Sequence, residues 1–135
     1  MSKQKKNKKL SIIIPAHNEE ENIKDTYKEI DDLRKKSNYE FEIIFVDDGS
    51  IDNTAIEIEK LIEKDNSVVL LEFSKNFGKE IATTAGLHHS TGDAAMILDA
   101  DLQYPISKIP DFLEKWEKGA EIVVGISDSK KTTNK

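Results

Sequence analysis

The stretch AAMILDADLQYP, residues 94–105, is a short apolar run that ends in two carboxylates one residue apart, Asp99 and Asp101. Two earlier runs have the same form: LSIIIPAHNEE, residues 10–20, and FEIIFVDDGS, residues 41–50. Short runs rich in Ile and Val, without strict alternation, are typical of parallel strands buried on both faces. Because the carboxyl ends of parallel strands meet at one edge of a sheet, where open α/β sheets bind ligands, we expect the polar clusters to form one site.

Five apolar runs predict strands, and helical patterns lie between them. The predicted strands are residues 11–14, 42–46, 68–73, 94–98 and 121–124. Strands that alternate with helices form right-handed βαβ units and hence a parallel sheet. The predicted fold class is therefore α/β: a Rossmann-like, doubly wound, mainly parallel sheet flanked by helices.

Capping residues and apolar spacing predict four helices. Asn18 is expected to cap the first, with Glu21 completing a capping box, and Asp52 is expected to cap the second. A glycine follows each of the other two, residues 78–90 and 106–118. The side chains predicted to face the core from the first two helices recur at helical intervals: Ile23, Tyr27, Ile30 and Leu33, then Ile56, Leu61 and Ile62.

Length and composition predict one globular domain. The chain has 135 residues, of which 34% are charged and 37% hydrophobic, which suffices for a single core. We divide it into a flexible basic leader (1–9), a single folded domain (10–126) and a flexible polar tail (127–135). No run approaches the roughly 20 apolar residues that span a bilayer, so we expect a cytoplasmic protein. The absence of cysteine excludes disulfides and thiolate metal sites.

Charge is unevenly distributed along the chain. Five lysines lie within the first ten residues, so the rest carries 15 basic and 26 acidic side chains, a net charge of −11. An acidic body argues against nucleic-acid binding, because phosphate neutralisation supplies much of that affinity. The basic leader either contacts anionic lipid headgroups or is simply solvated, and both alternatives stay open.

Asp99 and Asp101 are the predicted metal ligands. Positions i and i+2 of a strand share a side, so both carboxylates can approach one ion, and Gln103 can add a neutral oxygen. Oxygen ligands suit Mg²⁺ or Mn²⁺, which complete their shells with water and phosphate oxygens. Such an ion would stabilise a diphosphate as a leaving group. The alternative is that one aspartate caps the next turn and the other is solvated.

The polar clusters after the other strands contain further candidates. Asp47 can accept hydrogen bonds from a base or a ribose, while Gly49 shapes the turn that follows. The small side chain of Ala16 allows a ligand to approach the backbone, although the glutamates beyond it also suit a helix N-terminus. Lys75 and Lys79 bracket a glycine at a predicted helix start, an arrangement that can cradle a diphosphate.

Four segments, in this order, resemble the family 2 glycosyltransferases of GT-A fold. They are IIIPAHNEEENI (12–23), IIFVDDGSIDNT (43–54), FSKNFGKEIATTAGL (73–87) and MILDADLQYP (96–105). Within the family they are most similar to polyprenyl-phosphate sugar transferases, of the dolichol-phosphate mannose synthase and bactoprenol glucosyltransferase type. The resemblance extends over residues 10–125.

The resemblance implies a UDP- or GDP-sugar donor, a divalent metal (Mg²⁺ or Mn²⁺) and inverting transfer to a polyprenyl phosphate at the cytoplasmic face of a membrane. By motif match, the residues that would line the nucleoside pocket are Pro15, Ala16, Asn18, Glu19 and Asp47. Lys79 would lie near the donor phosphates. The metal and diphosphate motif would comprise Asp99, Ala100 and Asp101, with Gln103 as a third metal ligand.

Members of this family continue into an acceptor-binding half, and we expect that half to lie outside this sequence together with the acceptor-side catalytic residue. Donor and metal binding are therefore expected ahead of turnover. We also expect a truncated sheet, whose open edge favours self-association into a homo-oligomer.

Two other functions remain as alternatives. One is a non-catalytic nucleotide-sugar-binding domain that lacks the acceptor half. The other is a response-regulator receiver, a signalling domain with an acidic pocket. In a receiver the paired aspartates follow the first strand, whereas Asp47 and Asp48 follow the second predicted strand here.

Overall fold

Parallel strands alternate with helices throughout the part of the chain described by the structure, a computed structural model that covers residues 8–101 and 106–117. The strands are β1 (Lys9–Ala16), β2 (Glu40–Asp47), β3 (Val68–Glu72) and β4 (Ala94–Ile97). The helices are α1 (Ile23–Lys35), α2 (Thr54–Lys64), α3 (Lys79–His89) and α4 (Ile109–Glu117), the last preceded by a 3₁₀ turn, Ile106–Lys108.

The sheet has the strand order β3-β2-β1-β4, and every pairing is parallel. The first strand therefore lies inside the sheet, where Ile13 is in register with Ile44 on one side and Ile97 on the other. This topology confirms the predicted doubly wound α/β class. The predicted strand 121–124 lies outside the described residues.

Helices cover both faces of the sheet, and a separate core lies on each. The larger core joins the sheet to α1, α2 and α4, and includes the fully buried Phe45, Ile30 and Ile58. The smaller core lies under α3. That helix approaches the sheet closely at Gly86, since a Cβ there would lie 2.5 Å from Ile13 Cγ2.

Three details of the predicted helices are wrong. The cap position of α2 is Asn53 and not the predicted Asp52, although Asp52 Oδ1 accepts from the Thr54 N–H at 2.9 Å. Helix α1 begins at Ile23, and Asn18 has φ of 55° and does not cap it. Instead, Asn18 bonds to the β2–α2 turn: its N–H donates to Ser50 Oγ at 2.8 Å, and its Oδ1 accepts from the Ile51 N–H at 2.9 Å. The predicted inward position Ile56 is 51% exposed, because the buried face of α2 passes through Ile58.

A polar cluster fastens α1 to the turn between α2 and β3. Asp65 Oδ2 accepts from Tyr27 OH and from Arg34 Nη2, each at 2.6 Å. Its Oδ1 accepts from Ser67 Oγ at 2.6 Å. Burial alone would raise the pKa of Asp65, but the hydrogen bonds from Ser67, Tyr27 and Arg34 outweigh it and hold the pKa well below its usual range. The folded protein thus favours the ionised carboxylate.

This cluster predicts a pH-dependent stability. The folded-state pKa of Asp65 lies below its unfolded value, so the unfolded state binds the proton more tightly, and the stabilisation is lost as pH falls below about 5. Asp65→Asn should cost about 1–3 kcal/mol of unfolding free energy at pH 7 and distinctly less at pH 3, measured by urea denaturation. Asp32→Asn, which breaks an exposed pair with Lys28, is the control and should cost under about 1 kcal/mol at either pH. An equal loss for Asp65→Asn at both pH values would contradict the prediction.

Candidate functional site

The polar ends of β1, β2 and the segment after β4 lie side by side at the carboxyl edge of the sheet. Ala16 and Asp47 are register partners in β1 and β2, and the Asp48 N–H continues the ladder by donating to the Ala16 carbonyl at 2.8 Å. On the other side of β1, the Leu98 N–H donates to the Ile13 carbonyl at 2.9 Å. The topology thus brings together the three clusters that the sequence singles out.

Asp47 and Asp48 are adjacent in sequence, but they have different surroundings. Asp47 is buried (2% exposed), and its Oδ1 accepts from the Ser50 N–H at 3.1 Å. Asp48 is also buried (4% exposed), and both of its oxygens are bound by the loop before α3: Oδ1 accepts from the Phe77 N–H at 2.7 Å and Oδ2 from the Gly78 N–H at 3.0 Å. Asp48 therefore joins the end of β2 to the start of α3.

Gly49 allows the turn after β2 to pack against the same loop. Its φ is +69°, and a Cβ at this position would lie 2.2 Å from the Lys75 carbonyl carbon and 2.4 Å from the Asn76 nitrogen. The two backbones are thus in direct contact. Only glycine satisfies both the left-handed backbone and the space available.

His17 contributes a further connection between the strand ends. Its Nδ1 lies 2.8 Å from the Asp48 carbonyl oxygen, and since a carbonyl only accepts, Nδ1 must carry the proton. This leaves Nε2 to accept from Asn76 Nδ2, 3.1 Å away. His17 therefore connects β1, β2 and the β3–α3 loop.

Lys79, the first residue of α3, forms an ion pair with Asp99. Lys79 Nζ lies 2.6 Å from Asp99 Oδ1, and the two side chains are 63% and 21% exposed. Lys75, the other lysine predicted to hold a diphosphate, instead lies over the Phe77 ring, 5.3 Å from its centroid. Of the two lysines, it is Lys79 that the fold brings to the acidic segment.

The acidic segment after β4 differs in one respect from the prediction. The strand ends at Ile97, which is 39% exposed, so the expected strand buried on both faces is wrong here. Burial nevertheless varies beyond it: Leu98 and Ala100 are buried, Asp99 is half-buried and Asp101 is exposed. The common side predicted for the two carboxylates relied on strand geometry, and it stays a prediction because the strand ends before both residues.

Thr26 of α1 holds the acidic segment in place. Its hydroxyl donates to the Ala100 carbonyl at 2.6 Å, and Thr26 is fully buried. The carbonyl lies between the two aspartates in sequence, so this bond restrains the backbone that carries them. Nothing in the local sequence indicates it, since the partners are 74 residues apart.

The remaining predicted site residues lie where β1 leaves the sheet. Ala16 is buried and Pro15 half-buried. The Glu19 N–H donates to Thr54 Oγ1, and its carboxylate accepts from Asn22 Nδ2, each at 2.8 Å. Glu19, like Asn18, is thus tied to neighbouring turns by its own bonds.

The donor set of Asp99 and Asp101 fits a hard divalent cation. Asp99 already binds a cationic group, the Lys79 ammonium, at 2.6 Å. The described residues include no group of three or more His, Asp or Glu side chains that could enclose a metal by themselves. Mg²⁺ and Mn²⁺ need only one or two protein carboxylates when water and phosphate complete the shell. Gln103 lies outside the described residues.

Open α/β sheets bind their ligands at the carboxyl ends of the strands, and that is the edge at which this chain gathers its acidic and basic side chains. Residues 11–135 match the family model for glycosyl transferase family 2, and the chain belongs to that family. Membership excludes the receiver-domain alternative and confirms the resemblance seen in the sequence.

Curated relatives support the same family. The chain is 45% identical over 124 residues to the prophage bactoprenol glucosyl transferase homolog of Escherichia coli K12, covering 92% of this chain and 40% of the relative. It is likewise 45% identical over 124 residues to the bactoprenol glucosyl transferase of Shigella phage SfX, covering 92% of this chain and 41% of the relative. The chain thus spans about two-fifths of the length of these relatives.

Experimental structures with the same fold are GT-A glycosyltransferases. The mannosyltransferase PcManGT from Pyrobaculum calidifontis, in complex with GDP-Man and Mn²⁺, superposes with a TM-score of 0.69 at 25% identity, covering 87% of this chain and 34% of that one. The glucosyl-3-phosphoglycerate synthase of Mycobacterium tuberculosis, in complex with UDP, has a TM-score of 0.63 at 23% identity, covering 84% and 41%. Within residues 8–101 and 106–117, no helix is long and apolar enough to cross a membrane.

Proposed function

We propose that this chain is the donor-binding part of a glycosyltransferase that moves a sugar from a UDP- or GDP-sugar to a polyprenyl phosphate. The observation that carries the proposal is the Lys79–Asp99 pair at the carboxyl edge of the sheet. It sets a cation and an anion at the sheet edge where β2 also ends in the buried Asp47, and a charged diphosphate and its metal require both charges. The relatives named bactoprenol glucosyl transferase support the lipid acceptor.

The proposed donor site has a nucleoside part and a diphosphate part. Asp47 would accept hydrogen bonds from the base or ribose through the lone pairs that Ser50 leaves available. The backbone around Ala16 would contact the same nucleoside because its small side chain permits a close approach. The other residues proposed for this pocket are Pro15, Asn18 and Glu19.

Lys79 would bind the diphosphate once that group reaches the edge of the sheet. The Lys79 side chain is 63% exposed, so it can turn from Asp99 to a phosphate oxygen, and the bound metal ion would then neutralise the Asp99 carboxylate in its place. Asp99 and Asp101 would hold Mg²⁺ or Mn²⁺, with Gln103 proposed as a third ligand and the Ala100 backbone between them. When bound, the ion would offset negative charge on the departing nucleoside diphosphate.

The proposed reaction is an inverting displacement at the anomeric carbon. The bond from that carbon to the diphosphate oxygen breaks as a bond to an acceptor phosphate oxygen forms, through an oxocarbenium-like transition state. A phosphate acceptor is already anionic near pH 7, so it needs less help from a general base than a sugar hydroxyl does. The contribution of Lys79 is to stabilise the leaving diphosphate by charge.

A lipid acceptor would bring the reaction to a membrane surface, and we propose its cytoplasmic face. The five lysines among the first ten residues supply charge that anionic headgroups attract. Self-association through an open sheet edge stays a prediction.

Nucleotide binding tests the proposed function directly. Calorimetric titration of the chain with UDP and with GDP should show binding of one of them that strengthens on addition of Mn²⁺. At a nucleotide concentration about 100 times the dissociation constant, the unfolding free energy should rise by roughly 2.7 kcal/mol, with a matching increase in Tm. ADP serves as the control nucleotide and should leave Tm unchanged. Failure of both UDP and GDP to bind with Mn²⁺ would overturn the proposal.

A further inference from the structure

Thr26 uses its hydroxyl differently from a typical helical threonine. A threonine within a helix can return its hydroxyl to the carbonyl four residues earlier, as Thr84 of α3 does by donating to the Glu80 carbonyl at 3.0 Å. The Thr26 hydroxyl instead donates out of α1, to the Ala100 carbonyl at 2.6 Å. Thr26 is 0% exposed and Ala100 is 2% exposed, so the bond is shielded from water and ties α1 to the segment after β4.

This bond joins the two parts of the proposed donor site. The proposed nucleoside part includes the loop after β1, which enters α1 through two backbone bonds. The Asn22 N–H donates to the Glu19 carbonyl at 2.8 Å, and the Thr26 N–H donates to the Asn22 carbonyl at 2.9 Å. The proposed diphosphate part lies in residues 99–101. Thr26 is therefore attached to the first part through its backbone and to the second through its side chain.

Residues 99–101 depend on such a restraint because they lie beyond the strand. β4 ends at Ile97, and the pairing with β1 continues to the bond from the Leu98 N–H to the Ile13 carbonyl at 2.9 Å. The directions of two carboxylates at positions i and i+2 depend on the backbone of the residue between them. Mg²⁺ demands a nearly ideal octahedral geometry, so a rotation of the backbone at Ala100 would weaken a site that both carboxylates share.

We propose that Thr26 is a positioning residue that holds the Ala100 backbone so that the Asp99 and Asp101 carboxylates bind one divalent metal ion. This inference rests on the proposed function and adds to it a residue that contacts neither the donor nor the metal. Because Thr26 acts on residues 99–101, its hydroxyl should determine how much a metal ion strengthens nucleotide binding. It should have little effect on the binding of the nucleotide alone.

Thr26→Val is the variant that tests the inference. Valine keeps the branched shape of the side chain and removes the donor. In calorimetric titrations we expect the affinity for UDP or GDP to match that of the wild type without metal and to fall about tenfold with Mn²⁺ present. Tm should also fall, because the buried Ala100 carbonyl loses a hydrogen bond.

Thr26→Ser distinguishes the hydrogen bond from packing. Serine keeps the hydroxyl and loses the methyl group, so the strengthening of nucleotide binding by Mn²⁺ should stay close to its wild-type value even where Tm falls. A loss of this strengthening in Thr26→Ser equal to that in Thr26→Val would overturn the inference, since packing would then be the cause.

Ser11→Ala is the matched control for a general loss of stability. Ser11 is 0% exposed, lies near the start of β1, at the end of the sheet opposite the site, and donates from its hydroxyl to Glu42 Oε1 at 2.7 Å. Its substitution also removes a buried hydroxyl and should lower Tm. The strengthening of nucleotide binding by Mn²⁺ should remain unchanged.

The bound metal can also be measured directly. The electron paramagnetic resonance signal of free Mn²⁺, followed at saturating nucleotide, gives the bound fraction, and Thr26→Val should need about tenfold more Mn²⁺ for half-occupancy. An unchanged Mn²⁺ requirement in Thr26→Val would overturn the inference and leave the proposed function in place. A wild-type chain that binds neither nucleotide with Mn²⁺ would overturn the proposed function itself, so the two failures are distinguishable.

Discussion

Asp99→Asn is expected to lower the affinity for UDP or GDP in the presence of Mn²⁺ by about a hundredfold or more, because it removes a proposed metal ligand. Mutating a residue that only hydrogen-bonds to a metal ligand already lowers metal affinity or activity by about 10–100-fold. The amide keeps the size of the side chain and loses the charge that attracts Lys79 across 2.6 Å. Titration calorimetry with and without Mn²⁺ measures the effect.

The fold itself should tolerate this change. The Lys79–Asp99 pair is largely solvent-exposed on the lysine side, and exposed pairs contribute only about 0–1 kcal/mol, so Tm should barely move. Asp93→Asn is the matched control, since Asp93 precedes the same strand at its other end and accepts from the Lys9 N–H at 2.8 Å. Binding that is equally strong in Asp99→Asn and wild type would refute the proposed metal site.

Gly49→Ala is expected to have the largest effect on stability, a loss of about 3–5 kcal/mol. A left-handed backbone costs a non-glycine residue about 1–3 kcal/mol, and overpacking costs a similar amount again. The added Cβ would lie 2.2 Å from the Lys75 backbone, so the β3–α3 loop must move away. Chemical denaturation gives the loss of stability, and nucleotide titration should show that donor binding falls with it.

Gly78→Ala distinguishes the cost of a strained backbone from the cost of a steric clash. Gly78 also has a positive φ, +107°, but a Cβ there meets nothing within 4 Å. Its substitution should therefore lower the free energy of unfolding only by the cost of the strained backbone, about 1–3 kcal/mol. A loss in Gly49→Ala no greater than in Gly78→Ala would show that the loop accommodates the methyl group and would remove the basis for this prediction.

The sheet was predictable from the sequence because its strands are unusually apolar. The run Ile12–Ile14 and the β2 core residues are fully buried, and alternation with helical segments leaves a parallel sheet as the consistent arrangement. Helix starts were less predictable, since Asn18 satisfies every local criterion for a cap. Its actual partners, Ser50 and Ile51, lie in another turn.

In the candidate site, too, the local sequence predicts some features, whereas others depend on contacts between residues far apart in the chain. The predicted strand ends were sufficient to place Asp47, Asp99 and Asp101 at one edge of the sheet, and no individual contact had to be known. The residues that sequence reasoning missed, Asp48 and Thr26, act through bonds to backbone groups 29 to 74 residues away. No local pattern contains that information. The sequence shows that residues 47 and 48 are adjacent aspartates, but it does not show that their side chains have different hydrogen-bond partners.

The position of β1 inside the sheet also has a consequence for synthesis on the ribosome. Its partner β2 follows soon after it, whereas β4 on the other side is 84 residues distant in the Lys9–Asp93 pairing. At a translation rate of about 5–20 residues per second, that edge of β1 stays unpaired for about 2–10 s after β2 has emerged. An apolar strand with an open edge is the kind of template that recruits other chains. We therefore expect a nascent chain of this protein to be prone to pairing with other chains until residue 97 has left the ribosome.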